Sequence, residues 1–418
     1  MFDHNFKGIP YGTKISPEEV RAKRWNVLRG DLPFPLMILK ESALEHNLRG
    51  MAAWCAEQGF LLAPHGKTTM CPQIFERQLA HGAWAITVAN IAQAHVCLSF
   101  NVKRILIANQ VIGSSNLRSL AAAMNDNPET EFYCLVDSPE GVRCLATGLE
   151  HFGAQRPINA LIEWGHPGWR TGVRTLEEGK AVFLEAINHS RFLKVCGFEG
   201  FEGLASSPQG VDAEAEIAGE FLEGLRRFAG SLELKGEDQL PILSFGGSAF
   251  LDCVQQLAQA VAQQFRVIVR SGCYVTHDHG IYERKHSAAL ARAGDSSNIP
   301  EFRPAFELWS YVQSIPEHDR ALLTFGKRDC SFDIGLPLPL FSLGDGAELG
   351  SARTFSQSQI INLNDQHAHL ELRGEEKLEI GDMVCCGISH PCTAFDKWRM
   401  IPLVDDNYDV LDLYYTFF

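Results

Sequence analysis

The chain has 418 residues, 45% hydrophobic and 21% charged, which suits about two globular domains of ~150 to 250 residues each. Thirty-seven Lys and Arg against 51 Asp and Glu give a formal charge of -14, which argues against a nucleic-acid or anionic-membrane partner, because both select positive charge. No run reaches the ~18 apolar residues of a membrane span, and MFDHNFKGIPYG at the N-terminus lacks the basic-then-apolar pattern of a secretory signal, so a cytoplasmic protein is expected.

Short apolar, β-rich runs recur along the chain. They are PLMILK (35–40), GFLLAPH (59–65), AWAITVAN (83–90), RILIAN (104–109), EFYCLVD (131–137), NALIEW (159–164), LKVCGFEGF (193–201), ILSFGG (242–247) and RVIVRSG (266–272). Runs this apolar fit parallel strands buried on both faces. Helical patterns lie between them. Ser42 and Glu45 have the spacing of a capping box, followed by Leu44, Leu48, Met51 and Cys55 on one face. After Ser248, Leu251, Val254, Leu257, Val261 and Phe265 predict a helix over 249–265. The alternation predicts an α/β fold. Eight strands would close a (β/α)8 barrel and leave one over, and a doubly wound open sheet is the alternative. From about residue 290 the texture changes: ARAGDSSNIPEFRP reads as a loop, and short alternating runs then predict a mainly antiparallel β domain. The expected division is a barrel over 41–290 and a β domain made of 1–40 and 291–418. The twelve cysteines include no CxxC pair and sit mostly in apolar runs, as reduced, buried thiols do.

Several residues could carry chemistry. Lys67, in APHGKTTMCP, lies just past a strand, at the catalytic face of a barrel. A partly desolvated lysine there could form a Schiff base with a carbonyl; an ordinary surface lysine is the alternative. Gly246, Gly247 and Ser248 follow one strand, and Ser271, Gly272, Cys273 and Tyr274 end the next. If the barrel begins at residue 59, these loops follow strands seven and eight, the fold's recurrent phosphate site. A tight turn with Ser248 as an N-cap is the alternative. Arg170, in EWGHPGWRTGV, could meet a carboxylate, a phosphate or a cofactor ring, or simply pair with Glu163. His390 and Cys392, in SHPCTAFDKW, are Zn2+ ligand types, and two of them would leave positions open for water or substrate. His277, Asp278 and His279 read as a solvated or structural loop, and His367 and His369 as surface histidines.

PHGKT, RTGV, GFEGFEG, the GGS turn, SGCYVTHD and SHPCTAFDKW, in this order, resemble the family that joins metal-dependent D-serine dehydratase with D-threonine aldolase. That family is related more distantly to alanine racemase. The resemblance spans roughly residues 35 to 400, with PHGKT and SHPCTAFDKW its most specific parts. It implies a pyridoxal 5′-phosphate (PLP) enzyme with an alanine-racemase-type barrel, a β domain that recruits the first strand, and a homodimer. Lys67 matches the Schiff-base lysine, with His65 beside it. Arg170 matches an arginine near the cofactor ring. Gly247, Ser248, Gly272, Cys273 and Tyr274 match the phosphate-binding loops. His390 and Cys392 match the dehydratase metal pair, expected to hold Zn2+, where the aldolase branch more usually has an acid in place of the cysteine. Three positions depart from the pattern: Phe201 stands where tyrosine is frequent, Cys273 where asparagine is common, and Met70 where a second basic residue is frequent.

The resemblance implies metal-assisted dehydration of a D-β-hydroxy amino acid such as D-serine, with Lys67 as general base and an oxo acid and ammonia as products. Cleavage to glycine and an aldehyde, as in a D-threonine aldolase, is the first alternative. An amino-acid racemase and a non-catalytic PLP-binding protein are further ones.

Overall fold

In this computed structural model residues 1–234, 240–294, 298–344 and 346–418 are described. Every one of the nine apolar runs contains a strand. The first, β1 (Leu36–Lys40), stands apart from the other eight. These are β2 (Leu61–Leu62), β3 (Ile86–Val88), β4 (Arg104–Ile107), β5 (Glu131–Val136), β6 (Ile158–Trp164), β7 (Leu193–Gly200), β8 (Ile242–Phe245) and β9 (Arg266–Val269). They form one parallel sheet, with β2 and β3 at the two ends of the strand order. Those ends meet through irregular bonds: Trp84 N–H donates to Leu62 O at 2.7 Å and Thr87 N–H to Pro64 O at 2.9 Å. The sheet thus curls round on itself as a barrel, and the doubly wound alternative is set aside.

Strand parity explains why the runs are apolar throughout. Ala63, Ala85, Leu106, Ala108, Tyr133, Leu135, Leu161, Ile242 and Ile268 form one interior cluster. Alternate residues such as Ile86, Ile105, Ile107, Phe132, Cys134 and Val136 are buried in the larger core outside it. Helices α1 (Glu41–Gln58), α2 (Pro72–Ala80), α3 (Ile91–Ser99), α4 (Ser114–Asp126), α5 (Pro139–His151), α6 (Leu176–Asn188), α7 (Val211–Gly230) and α8 (Leu251–Val261) alternate with the strands. A ninth, α9 (Ile281–Ala293), follows the barrel.

Two local expectations are corrected and a third is narrowed. Ser42 caps nothing: β1 runs directly into α1, Lys40 is the N-cap, and the Ser42 hydroxyl donates to Asp406 at 2.6 Å. The helix after the GGS turn begins at Leu251 with Phe250 as its N-cap, so Ser248 is no cap either. Of the two readings of the His277 loop, the structural one holds and the solvated one does not. His277 and Asp278 are buried, and Asp278 Oδ1 accepts from the amides of Gly280, Tyr282 and Glu283, which opens α9. Residues 295–297, within the stretch read as a loop, lie outside the described residues.

The rest is mainly antiparallel: β10 (Phe306–Glu317), β11 (Arg320–Leu323), β12 (Leu338–Leu343), β13 (Arg353–Thr354), β14 (Gln359–Leu363), β15 (Ala368–Glu371), β16 (Met383–Gly387), β17 (Met400–Val404) and β18 (Val410–Tyr415). The ninth run finds its place here. β1 pairs antiparallel with β10, Leu36 opposite Trp309, and parallel with β17. The fold is therefore an eight-stranded α/β barrel joined to a β domain through β1, as the resemblance implied. Among the described residues no helix is long and apolar enough to cross a membrane.

Candidate active site

β2 leads into Pro64, His65 and a single 3-10 turn, Gly66–Thr68, that carries Lys67. A Cβ at Gly66 would lie 2.7 Å from Ile86 Cγ2 and 2.9 Å from Phe75 Cε1, so the turn packs against β3 and α2 as only glycine permits. Lys67 is half-buried. Burial lowers its proton affinity, and the positive charges of Arg170 and Arg270 lower it further, against the thiols of Cys392 and Cys273. His65 is held neutral by burial, reinforced by Lys67, Arg270 and Arg170, and its Nδ1 is buried without a partner among the described residues. Three cations thus converge on one end of the barrel.

Arg170 does not pair with Glu163. Its guanidinium lies 4.5 Å from the centroid of the Phe201 ring, while Glu163 accepts from Gln110 Nε2 at 2.7 Å and Thr171 Oγ1 at 2.8 Å. Beneath this mouth lies a polar tier that sequence reasoning missed. Glu163, Glu199, Ser244 and Arg270 continue the inward parity of Leu161, Gly197, Ile242 and Ile268. Arg270 donates to Ser244 Oγ at 2.9 Å, to the Gly200 carbonyl at 3.2 Å and to Glu199 Oε1. Burial pushes Glu199 up to about 7 even against Arg270, and its Oε2 has no partner among the described residues. A charged residue at inward parity in a strand otherwise buried on both faces was the available signal.

The two glycine loops come together at this mouth. The Gly246 and Gly247 amides donate to Glu202, at 2.9 and 2.6 Å, so an internal carboxylate already uses these donors. Ser248 Oγ lies 3.2 Å from Ser271 Oγ. A Cβ at Gly272 would come within 2.7 Å of His65 Cβ and the His65 carbonyl, so the loop after β9 touches the Lys67 turn. Tyr274 points elsewhere: its ring is buried near Phe302 and its hydroxyl meets Gln78 Nε2 at 3.4 Å. Its side chain therefore faces no ligand space, and only its main chain stays near the loop.

From the β domain, a short helical segment, Cys392–Phe395, reaches the same mouth. Cys392 Sγ lies 3.4 Å from Cys273 Sγ and 3.5 Å from Thr68 Oγ1. His390 Nδ1 bonds Asp333 Oδ2 at 2.8 Å, and Asp333 Oδ1 accepts from Thr393 at 2.7 Å. Burial disfavours the imidazolium of His390, but Cys392 and Asp333 outweigh it and raise the ring to about 9. Among the described residues no group of three or more His, Cys, Asp or Glu is placed to hold a metal ion. His367 and His369 are half-exposed on or beside β15, and His369 bonds Asn364.

A family model described as "Putative serine dehydratase domain" matches residues 305–404. A D-threonine aldolase of Arthrobacter sp. is 24% identical over 303 residues, covering 72% of this chain and 74% of that protein. Among solved structures, D-threonine aldolase from Filomicrobium marinum superposes with a TM-score of 0.74 at 22% identity, covering 92% of this chain and 95% of the other. D-threo-3-hydroxyaspartate dehydratase from Delftia sp. HT23 gives 0.69 at 16% identity, covering 94% and 99%.

Proposed function

We propose that this chain, similar to the "Putative serine dehydratase domain" and to a D-threonine aldolase, is a PLP-dependent lyase that dehydrates and deaminates D-β-hydroxy amino acids. One observation carries this reading: the half-buried Lys67 amine, its proton affinity lowered by burial and by Arg170 and Arg270, at the mouth of the barrel.

The residues at that mouth suit the cofactor. The phosphate is a dianion and the ring aldehyde needs a neutral amine. The hydroxyls of Ser248 and Ser271 and the positive field of the two arginines suit the first, and Lys67, its proton affinity lowered, the second. Unpartnered buried atoms at His65 Nδ1 and Glu199 Oε2 leave polar capacity unused there. When bound, the cofactor supplies an electron sink for the carbanion formed at Cα. The protein does the rest. Lys67 Nζ takes the α-proton. Arg170, which has no carboxylate partner at Glu163, offers its charge to the phosphate or the substrate carboxylate. Phe201, under Arg170, presents an apolar ring to that face.

His390 and Cys392 offer an imidazole and a thiol to a divalent metal such as Zn2+. Asp333 holds Nδ1, which leaves Nε2 as the ring nitrogen that could face a metal, as carboxylates bonded to metal-binding histidines do. The chemistry such an ion would supply is Lewis-acid stabilisation of the departing β-hydroxyl. Loss of water and hydrolysis then yield an oxo acid and ammonia, pyruvate in the case of D-serine.

A second reading, aldol cleavage, draws support from the similarity to D-threonine aldolases. The test separates them. Purified protein with PLP and Zn2+ is given D-serine, D-threonine and D-threo-3-hydroxyaspartate. Ammonia and oxo acid are expected; glycine and an aldehyde would favour cleavage; no product from any substrate would refute both. Lys67→Ala should abolish turnover and the visible absorption of bound cofactor. We also propose a homodimer, so light scattering should give twice the 46.4 kDa chain mass.

A further inference from the structure

We propose that Cys273 and Cys392 form a modification site: a dithiol that a peroxide-class oxidant converts into an intramolecular disulfide across the mouth of the barrel. The two residues are 119 positions apart, yet their sulfurs touch at 3.4 Å. Ordinary sulfur–sulfur bonding is ~2.05 Å, so closing the gap requires each sulfur to move by well under an ångström. Neither side chain is locked in a sheet. Cys273 begins the 3-10 turn after β9, and Cys392 begins the short helical segment of the β domain.

The other thiols differ. Cys196, Cys253 and Cys330 direct their sulfurs at the backbone carbonyls of Ala160, Ala215 and Gly326. Cys385 and Cys386 are neighbours along β16 and point to opposite faces. Cys144 is exposed, on the outer helix α5.

The order of events follows from access. Cys273 is buried, whereas Cys392 is half-buried at the mouth. A small peroxide reaches Cys392 first, oxidising its sulfur to a sulfenic acid as one oxygen of the peroxide leaves as water. The Cys273 sulfur then attacks the Cys392 sulfur and expels a second water. Two thiols and one peroxide thus give one disulfide and two waters, and a dithiol reductant reverses the change. The bond would draw Cys392 away from Thr68 and tie the loop after β9 to the β domain. If the proposed lyase reading holds, oxidation also silences the enzyme by removing the thiol that partners His390. That consequence rests on the lyase reading; formation of the bond does not, since it needs neither cofactor nor substrate.

The test uses the full chain without substrate. Hydrogen peroxide is added in steps, thiols are alkylated, and peptides are mapped by mass spectrometry without reduction. Oxidation of the exposed Cys144 reports the dose. The expected result is a peptide pair linked through residues 273 and 392, two fewer alkylatable thiols besides Cys144, and recovery of those two with dithiothreitol. In Cys273→Ser the linked pair should vanish and Cys392 should proceed to sulfinic acid. Wild-type protein that shows no linked pair at doses that oxidise Cys144, or whose Cys392 reaches sulfinic acid unlinked, overturns it.

Discussion

Arg270 and Glu199 show what a single residue can decide here. Both are buried, and Arg270 spends its donors on Glu199, Ser244 and the Gly200 carbonyl. Such a pair is weak evidence for stability as a pair, but removing one partner strands the other charge away from water. Glu199→Ala should therefore cost about 3 to 5 kcal/mol, read from urea unfolding. The double change Glu199→Leu with Arg270→Met should recover most of that loss. A single variant as stable as wild type would mean that Arg270 finds solvent. Lys67 was visible in the sequence because its position after a strand is a local fact. The Arg270–Glu199 pair was not, because the two lie 71 residues apart and meet only when β7, β8 and β9 stand side by side.

At the level of elements, α1 and α2 are joined by an ion cluster. Arg77 bonds Glu41 and Glu45, each at 2.6 Å, and Arg49 and His81 also reach Glu45. Burial alone would raise Glu45, but the bonds from Arg77, Arg49 and His81 prevail and hold it at about 2, below its ordinary 4.5. A carboxylate depressed on folding contributes stability above its unfolded pKa and loses it as pH falls through the folded one. The contribution is thus complete above about 4.5 and gone near 2. Glu45→Gln should lower stability at neutral pH by about 1 kcal/mol, given that the cluster is partly exposed. Its melting temperature should fall less steeply than that of wild type between those pH values. Parallel slopes would assign the acid loss to other carboxylates. Glu45 was read from the sequence as half of a capping box. Its spacing from Ser42 was right for that role, but the Arg77 guanidinium, brought over by α2, offers a stronger partner than a backbone amide.

Across the whole molecule, the two parts are laced together by the ends of the chain. β1 lies between β10 and β17 before the chain enters α1. At the other end, β18 lies over α2: Gln73 Nε2 donates to the Leu413 carbonyl, Arg77 meets the Tyr414 hydroxyl, and Phe417 N–H donates to the Met70 carbonyl at 3.0 Å. Removing residues 409–418 would expose Met70 and Cys71, both fully buried next to the Lys67 turn. The truncated chain should lose soluble yield and melt well below the full chain. Melting at the wild-type temperature would show that the terminal strand is dispensable.

Some of this was settled by the chain alone. Inward and outward residues of the barrel strands are both apolar, so the strands announced themselves as runs such as RILI and EFYCLV, and their alternation with helices implied the barrel. The Lys67 turn, the serine and glycine loops and the His390–Cys392 pair could be picked out as candidates, because each is a short contiguous segment. Only the folded chain decided which partners those segments meet. Arg170 faces Phe201 rather than Glu163, Glu202 occupies the Gly246 and Gly247 amides, Tyr274 turns toward Gln78, and Cys273 touches Cys392. Each of these contacts joins residues that barrel closure and domain packing bring within a few ångströms, and hydrogen bonds and charge pairs act over that distance in space, whatever the separation along the chain.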